Sequence, residues 1–107
     1  MEREEVLVNW LNEEEGEEIA LDDVTNDYGY DYVTPVGDYL VLTEDEAYEA
    51  VKDEQLVKEG HVDIDYSALA NWLINNDGYG NSLSPYDGRT NEYSDEDGDY
   101  LLIFRTN

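Results

Sequence analysis

The chain has 107 residues, of which 29 are Asp or Glu and 5 are Lys or Arg, giving a formal net charge of −24. So acidic a surface is repelled by nucleic-acid backbones and anionic leaflets, which excludes direct binding to nucleic acid or membrane. The lack of cysteine excludes disulfides and thiolate metal sites.

Ten Tyr, two Trp and a hydrophobic content of 40 % argue for a folded domain over a disordered acidic tail, because chains disordered through charge are poor in aromatics. The length suits a single domain, 1–107. The N-terminal Met1-Glu-Arg-Glu-Glu5 is acidic, and no apolar run has the length of a secretory signal or a membrane span.

Val6, Leu7, Trp10 and Leu11 follow the spacing of one helical face and predict a helix from Glu2 to Asn12. The acidic cluster Glu13, Glu14, Glu15 follows, where the helix macrodipole disfavours carboxylates, and Gly16 offers a stop. Ile19, Leu21 and Val24 form a short apolar patch to which no element is assigned. Tyr28 to Val33 is rich in strand formers and reads as a strand with Tyr28, Tyr30 and Tyr32 on one face. Thr34-Pro-Val-Gly37 supplies turn chemistry, and Asp38 to Leu42 returns as the second strand of a hairpin.

Thr43-Glu-Asp-Glu46 is a capping box, which predicts a helix from Glu44 to a point between Glu54 and Glu59 with Ala47, Ala50 and Val51 inward. A third helix fits Tyr66 to Asn76, capped by Asp63 or Asp65; Trp72 lies roughly 100° or more off its apolar face. Gly78 to Gly88 is rich in Gly, Ser, Asn and Pro and reads as a loop without regular structure. Asp95-Glu-Asp-Gly98 is a turn between short segments near Asn91–Tyr93 and Asp99–Arg105, and Tyr100-Leu-Leu-Ile-Phe104 reads as an interior strand. The expected class is α+β, with about three helices on one face of a small antiparallel sheet built from two hairpins.

The chemistry-bearing motifs are few. Asp45, Glu46, Glu49 and Asp53 fall within about 100° of one another around the second helix, opposite Ala47 and Val51. Asp45–Glu49 and Glu49–Asp53 are like-charged i, i+4 pairs, each costing roughly 0.2–0.5 kcal/mol, and Lys52 offsets this only in part. Such a face is either merely solvated or kept for a basic partner; with five basic residues in the chain the two alternatives stand level. Asp95, Glu96, Asp97 and Asp99 suggest calcium. Counted from Asp95, however, Gly98 is at position 4 and Thr106 at position 12, where an EF-hand loop needs Gly at 6 and Glu at 12. An acidic turn fits better.

His61 has no cysteine or second histidine for a zinc site or a nucleophile couple. Ser67, Ser82, Ser84 and Ser94 lack a nucleophile-elbow pattern, and Gly78-x-Gly80 lacks the rest of a dinucleotide fingerprint. No catalytic residue, metal ligand or cofactor is expected. Tyr28, Tyr30, Tyr32, Tyr39 and Tyr100 read first as sheet packing, and with Trp72 as a candidate aromatic binding surface.

Leu40-Val-Leu-Thr-Glu-Asp-Glu-Ala47, Asp77-Gly-Tyr-Gly-Asn-Ser-Leu-Ser-Pro-Tyr-Asp-Gly88 and Tyr100-Leu-Leu-Ile-Phe-Arg-Thr-Asn107 resemble segments of small acidic proteins encoded by bacteriophages. Those proteins often carry Arg and His where this chain has Tyr79 and Asn81. The resemblance implies a phage setting, hence the host bacterial cytoplasm, and no activity. By analogy of class, small acidic phage proteins include anti-CRISPR and anti-restriction inhibitors that mimic DNA. The 24 net charges equal those on about twelve base pairs of duplex. The leading expectation is therefore an inhibitor that fills the basic nucleic-acid groove of a Cas effector or restriction enzyme through Asp45, Glu46, Glu49 and Asp53, Glu13–Glu15, the Asp95–Asp99 turn and Trp72. The alternatives are an aromatic-surface inhibitor or adaptor and a non-binding haloadapted domain.

Overall fold

The computed structural model describes residues 2–59, 65–94, 98 and 100–107. Helix α1 (Arg3–Glu13) leads through a 3-10 turn at Leu21–Asp23 to strands β1 (Thr25–Tyr28), β2 (Asp31–Thr34) and β3 (Gly37–Leu42). Helices α2 (Glu44–Glu59), α3 (Tyr66–Asp77) and the short α4 (Tyr79–Leu83) follow, then β4 (Asn91–Ser94) and β5 (Tyr100–Arg105). The strands form one antiparallel sheet in the order β1-β2-β3-β5-β4. The class is α+β, as the residue patterns predict.

Both faces of the sheet are covered, which corrects the expectation of helices on one face. Tyr39 and Val41 of β3, with Leu101 and Ile103 of β5, pack against Val6, Leu7, Trp10 and Leu11 of α1. The intervening Leu42, Leu102 and Phe104 pack instead against Ala47 and Val51 of α2, Ala70 of α3 and Leu83 of α4. Successive strand residues point to opposite faces, so a strand buried on both sides reads as a continuous apolar run. Tyr100–Phe104 is such a run. Burying each large side chain of α1 gains roughly 1.5–3 kcal/mol, which outweighs the few tenths lost to each like-charged pair along a helix.

The local start signals act as expected. In the capping box of α2, the Glu46 N–H donates to Thr43 Oγ1 at 3.2 Å and the Thr43 N–H donates to Glu46 Oε1 at 2.8 Å. Asp65 caps α3 by accepting from the Ala68 N–H at 3.1 Å; Asp63, the other candidate, lies outside the described residues, as does His61. Asn12 fixes the exit of α1, its side chain exchanging two hydrogen bonds with the backbone of Ile19.

Two local expectations are corrected. Tyr28 to Val33 is not one strand. Gly29, at φ +57°, and Tyr30 form a turn that ends β1 and starts β2, and the Asn26 side chain closes it by donating to the carbonyls of Gly29 and Asp31. Tyr28 and Tyr32 are therefore separated in environment, 82 % and 5 % exposed. The expected hairpin becomes a three-stranded meander. Gly78 to Gly88 likewise contains helix α4, whose composition is poor for a helix but whose packing requires it. A Cβ on Gly80 would lie 2.4 Å from the Arg89 carbonyl carbon and 2.5 Å from the Gly88 oxygen, so only glycine lets the two backbones approach.

Candidate functional site

α2–α4 cover the middle of their sheet face and leave β1 and β2 bare beside α2. On β2, Tyr32 packs in the α1 cluster and Thr34 is buried, whereas the alternate residues Asp31 and Val33 are half-buried and exposed, respectively. Asp31 pairs across the strand with Leu40, and Tyr28 pairs with Asp31. The result is a groove of about 490 Å³ between this bare sheet and α2. Leu40, Leu42 and Ala50 line its floor, Tyr28, Gly29 and Tyr30 its outer wall, and Asp31, Asp45, Glu46, Glu49 and Asp53 its rim.

Helical periodicity puts the four α2 carboxylates along this opening, as the spacing predicts, but they are not equivalent. Glu46 is bound within the molecule: Arg3 Nη1 donates to its Oε1 at 2.7 Å and Arg3 Nη2 to its Oε2 at 3.0 Å. Arg3 also donates to the Val41 carbonyl at 2.7 Å and lies 4.0 Å from the Tyr30 ring centroid. The Arg3 guanidinium, the Thr43 N–H and the Tyr30 hydroxyl together hold the Glu46 carboxyl down at about 2. Its hydrogen bond to Glu46 in turn raises the Tyr30 phenol above its ordinary value. Glu46 is thus a structural residue rather than a free contact. Asp45, Glu49 and Asp53 are exposed and form no ion pair among the described residues, Lys52 included. Partial burial, followed by the nearby charges of Asp27 and Asp38, pushes the Asp31 carboxyl up.

The remaining candidates do not join this site. Glu13, Glu14 and Glu15 are exposed at the far end of α1, and Glu14 and Glu15 border a separate opening with Trp10, Arg89 and Glu92. Trp72 is 59 % exposed on α3 and lines no part of the groove. Asp95, Glu96, Asp97 and Asp99 lie outside the described residues. The groove's apolar half was missed because its residues look like ordinary strand packing. Its one local signal was Gly29, a glycine interrupting a Tyr-rich segment.

Among the described residues no three His, Asp or Glu side chains converge as metal ligands, and no helix is long and apolar enough to cross a membrane. Comparison with protein-family models, curated proteins and solved structures gave no match.

Proposed function

We propose that the chain is a phage-encoded inhibitor of a bacterial defence nuclease, an acidic mimic that occupies a basic nucleic-acid-binding site on a Cas effector or restriction enzyme. The observation that carries this reading is the row Asp45, Glu49 and Asp53: three exposed carboxylates on one helix face, none of them in an ion pair among the described residues. Asp45 suits the first turn of its helix, but Glu49 and Asp53 repel each other at i, i+4 spacing, whereas a partner's arginines gain much from the row, because carboxylates accept charge-assisted Arg bonds as phosphates do. Scale supports it as well. The described residues extend over 47 × 26 × 21 Å, so the charge amounts to about one per 2–2.5 Å of the long axis, against ~1.7 Å for duplex DNA.

The test is titration of the protein into cleavage reactions of purified Cas effectors and restriction enzymes. Inhibition should saturate at a fixed stoichiometry, weaken steeply with salt and vanish when the enzyme is loaded with DNA first. A ternary complex that keeps its DNA in place rejects mimicry in favour of an aromatic-surface or allosteric inhibitor.

A further inference from the structure

An apolar trough beside unpaired carboxylates suits an occupant that is itself half apolar and half cationic. The floor of the α2 groove is aliphatic, from Leu40, Leu42 and Ala50, and Tyr28 stands over it 82 % exposed. Asp45, Glu49 and Asp53 line the rim; among the described residues Lys52 of the same helix forms no ion pair with them, and Arg3 is held by Glu46, the Val41 carbonyl and the Tyr30 ring. The groove therefore presents negative charge that no ion pair among the described residues takes up. Directly beneath lies surface that would release water on contact.

We infer that this groove docks an amphipathic basic segment of a protein partner. That segment lays Leu-like side chains and the methylene stems of its Arg or Lys on Leu40, Leu42 and Ala50, and gives its cationic heads to Asp45, Glu49 and Asp53. Arg and Lys bury their stems on apolar surface while the charged head stays at the edge, and Tyr28 offers a ring face to such a head. The inference rests on the basic-partner reading above and deepens it. Phosphate mimicry alone is electrostatic, whereas docking here adds an apolar contribution that salt does not screen.

The probes are two synthetic helical peptides of equal charge, one with Arg and Leu on a single face and one with each Leu replaced by Ser. Each is titrated into the isotope-labelled protein and followed by backbone amide shifts at 0.15 M and 1 M NaCl, where the Debye length is ~8 and ~3 Å. Docking predicts shifts concentrated at residues 28–31, 40–42 and 45–53. Raising the salt should cost both peptides about the same factor, because their charges are equal, and should leave the Leu peptide about tenfold or more tighter than the Ser peptide at both salts. Tyr28→Ala should weaken the Leu peptide about fivefold or more and the Ser peptide by a smaller factor, that of the lost cation–ring contact. Ala50→Arg, which lays a cationic stem in the groove from within, should weaken both. If that variant fails to fold, Tyr28→Ala, on an exposed side chain, still decides. Equal affinities of the two peptides at 1 M NaCl, or shifts spread evenly over Glu13–Glu18 and α2, overturn the inference. Nuclease inhibition without groove shifts overturns docking alone; groove docking without inhibition of any nuclease upholds docking and overturns only the mimic.

Discussion

Arg3 and Glu46 form a forked ion pair, with Nη1–Oε1 at 2.7 Å and Nη2–Oε2 at 3.0 Å, that joins the start of α1 on one face of the sheet to the start of α2 on the other. Both side chains are about a quarter exposed, 24 % and 25 %. Glu46 also closes the capping box with Thr43. One carboxylate thus ends two jobs at once, the cap of α2 and the tie between layers. Among the described residues it is the α2 rim carboxylate whose removal should destabilise the fold by breaking an ion pair.

The acid limb of stability follows from that pair. Glu46 is held at about 2 against an ordinary 4.5, chiefly by the Arg3 hydrogen bonds. A carboxylate depressed in the folded state stabilises above its unfolded pKa and loses that stabilisation as pH falls through the folded value. Glu46→Gln, which keeps the cap geometry, should cost about 1–2 kcal/mol at pH 7, allowing for partial exposure. The gap between parent and variant should close between pH 4.5 and about 2. Thermal unfolding of both proteins across that range checks it; a gap independent of pH would contradict the pair's role.

Screening and charge reversal separate the rim residues from the structural one. The self-repulsion of −24 charges should ease as NaCl rises from 0.01 to 0.15 M and the Debye length falls from ~30 to ~8 Å, so Tm should climb. Glu49→Lys with Asp53→Lys should raise Tm at low salt and, under the proposed mimicry, weaken inhibition of the nuclease. Glu46→Lys should instead lower Tm, because it faces Arg3 with a like charge. Melting curves for the two variants decide, and a flat Tm across the salt range would sink the repulsion argument.

Gly80→Ala tests the close approach of α4 to the Gly88–Arg89 backbone. The new Cβ would sit 2.4–2.5 Å from backbone atoms that cannot rotate aside. Overpacking of this kind costs typically about 1–3 kcal/mol, or roughly 4–8 °C in Tm per kcal/mol for a domain of this size. Asn81→Ala, at an exposed position of the same helix, should leave Tm nearly unchanged. Equal effects from the two substitutions would contradict the packing.

The two tryptophans report opposite environments. Trp10 is 5 % exposed, its ring 5.9 Å from that of Tyr39 at 70°, whereas Trp72 is 59 % exposed. Trp72→Phe should remove the red-shifted, acrylamide-quenchable emission and leave a protected blue component. It should also leave peptide binding at the α2 groove intact, since Trp72 lines none of it. Strong quenching of the fluorescence remaining in the variant would place Trp10 outside the core.

Sequence alone determined the parts of this protein governed by local physics. Periodicity and caps located α1, α2 and α3, since Thr43, Glu46 and Asp65 act on backbone groups only three residues away. The acidic row of α2 was legible for the same reason, because helical geometry alone aligns Asp45, Glu49 and Asp53. Tertiary structure decided what depends on contacts distant in sequence. Arg3 reaches Glu46 across 43 positions and withdraws it from the surface. Gly80 helps α4 form against Gly88 and Arg89, where composition argued for a loop. The run Leu101–Phe104 already carried the mark of a strand buried on both faces, but only packing could assign Leu101 and Ile103 to α1 and Leu102 and Phe104 to α2–α4. The groove belongs to this second class, because its apolar floor and acidic rim come from a sheet face and a helix that meet only in the folded chain.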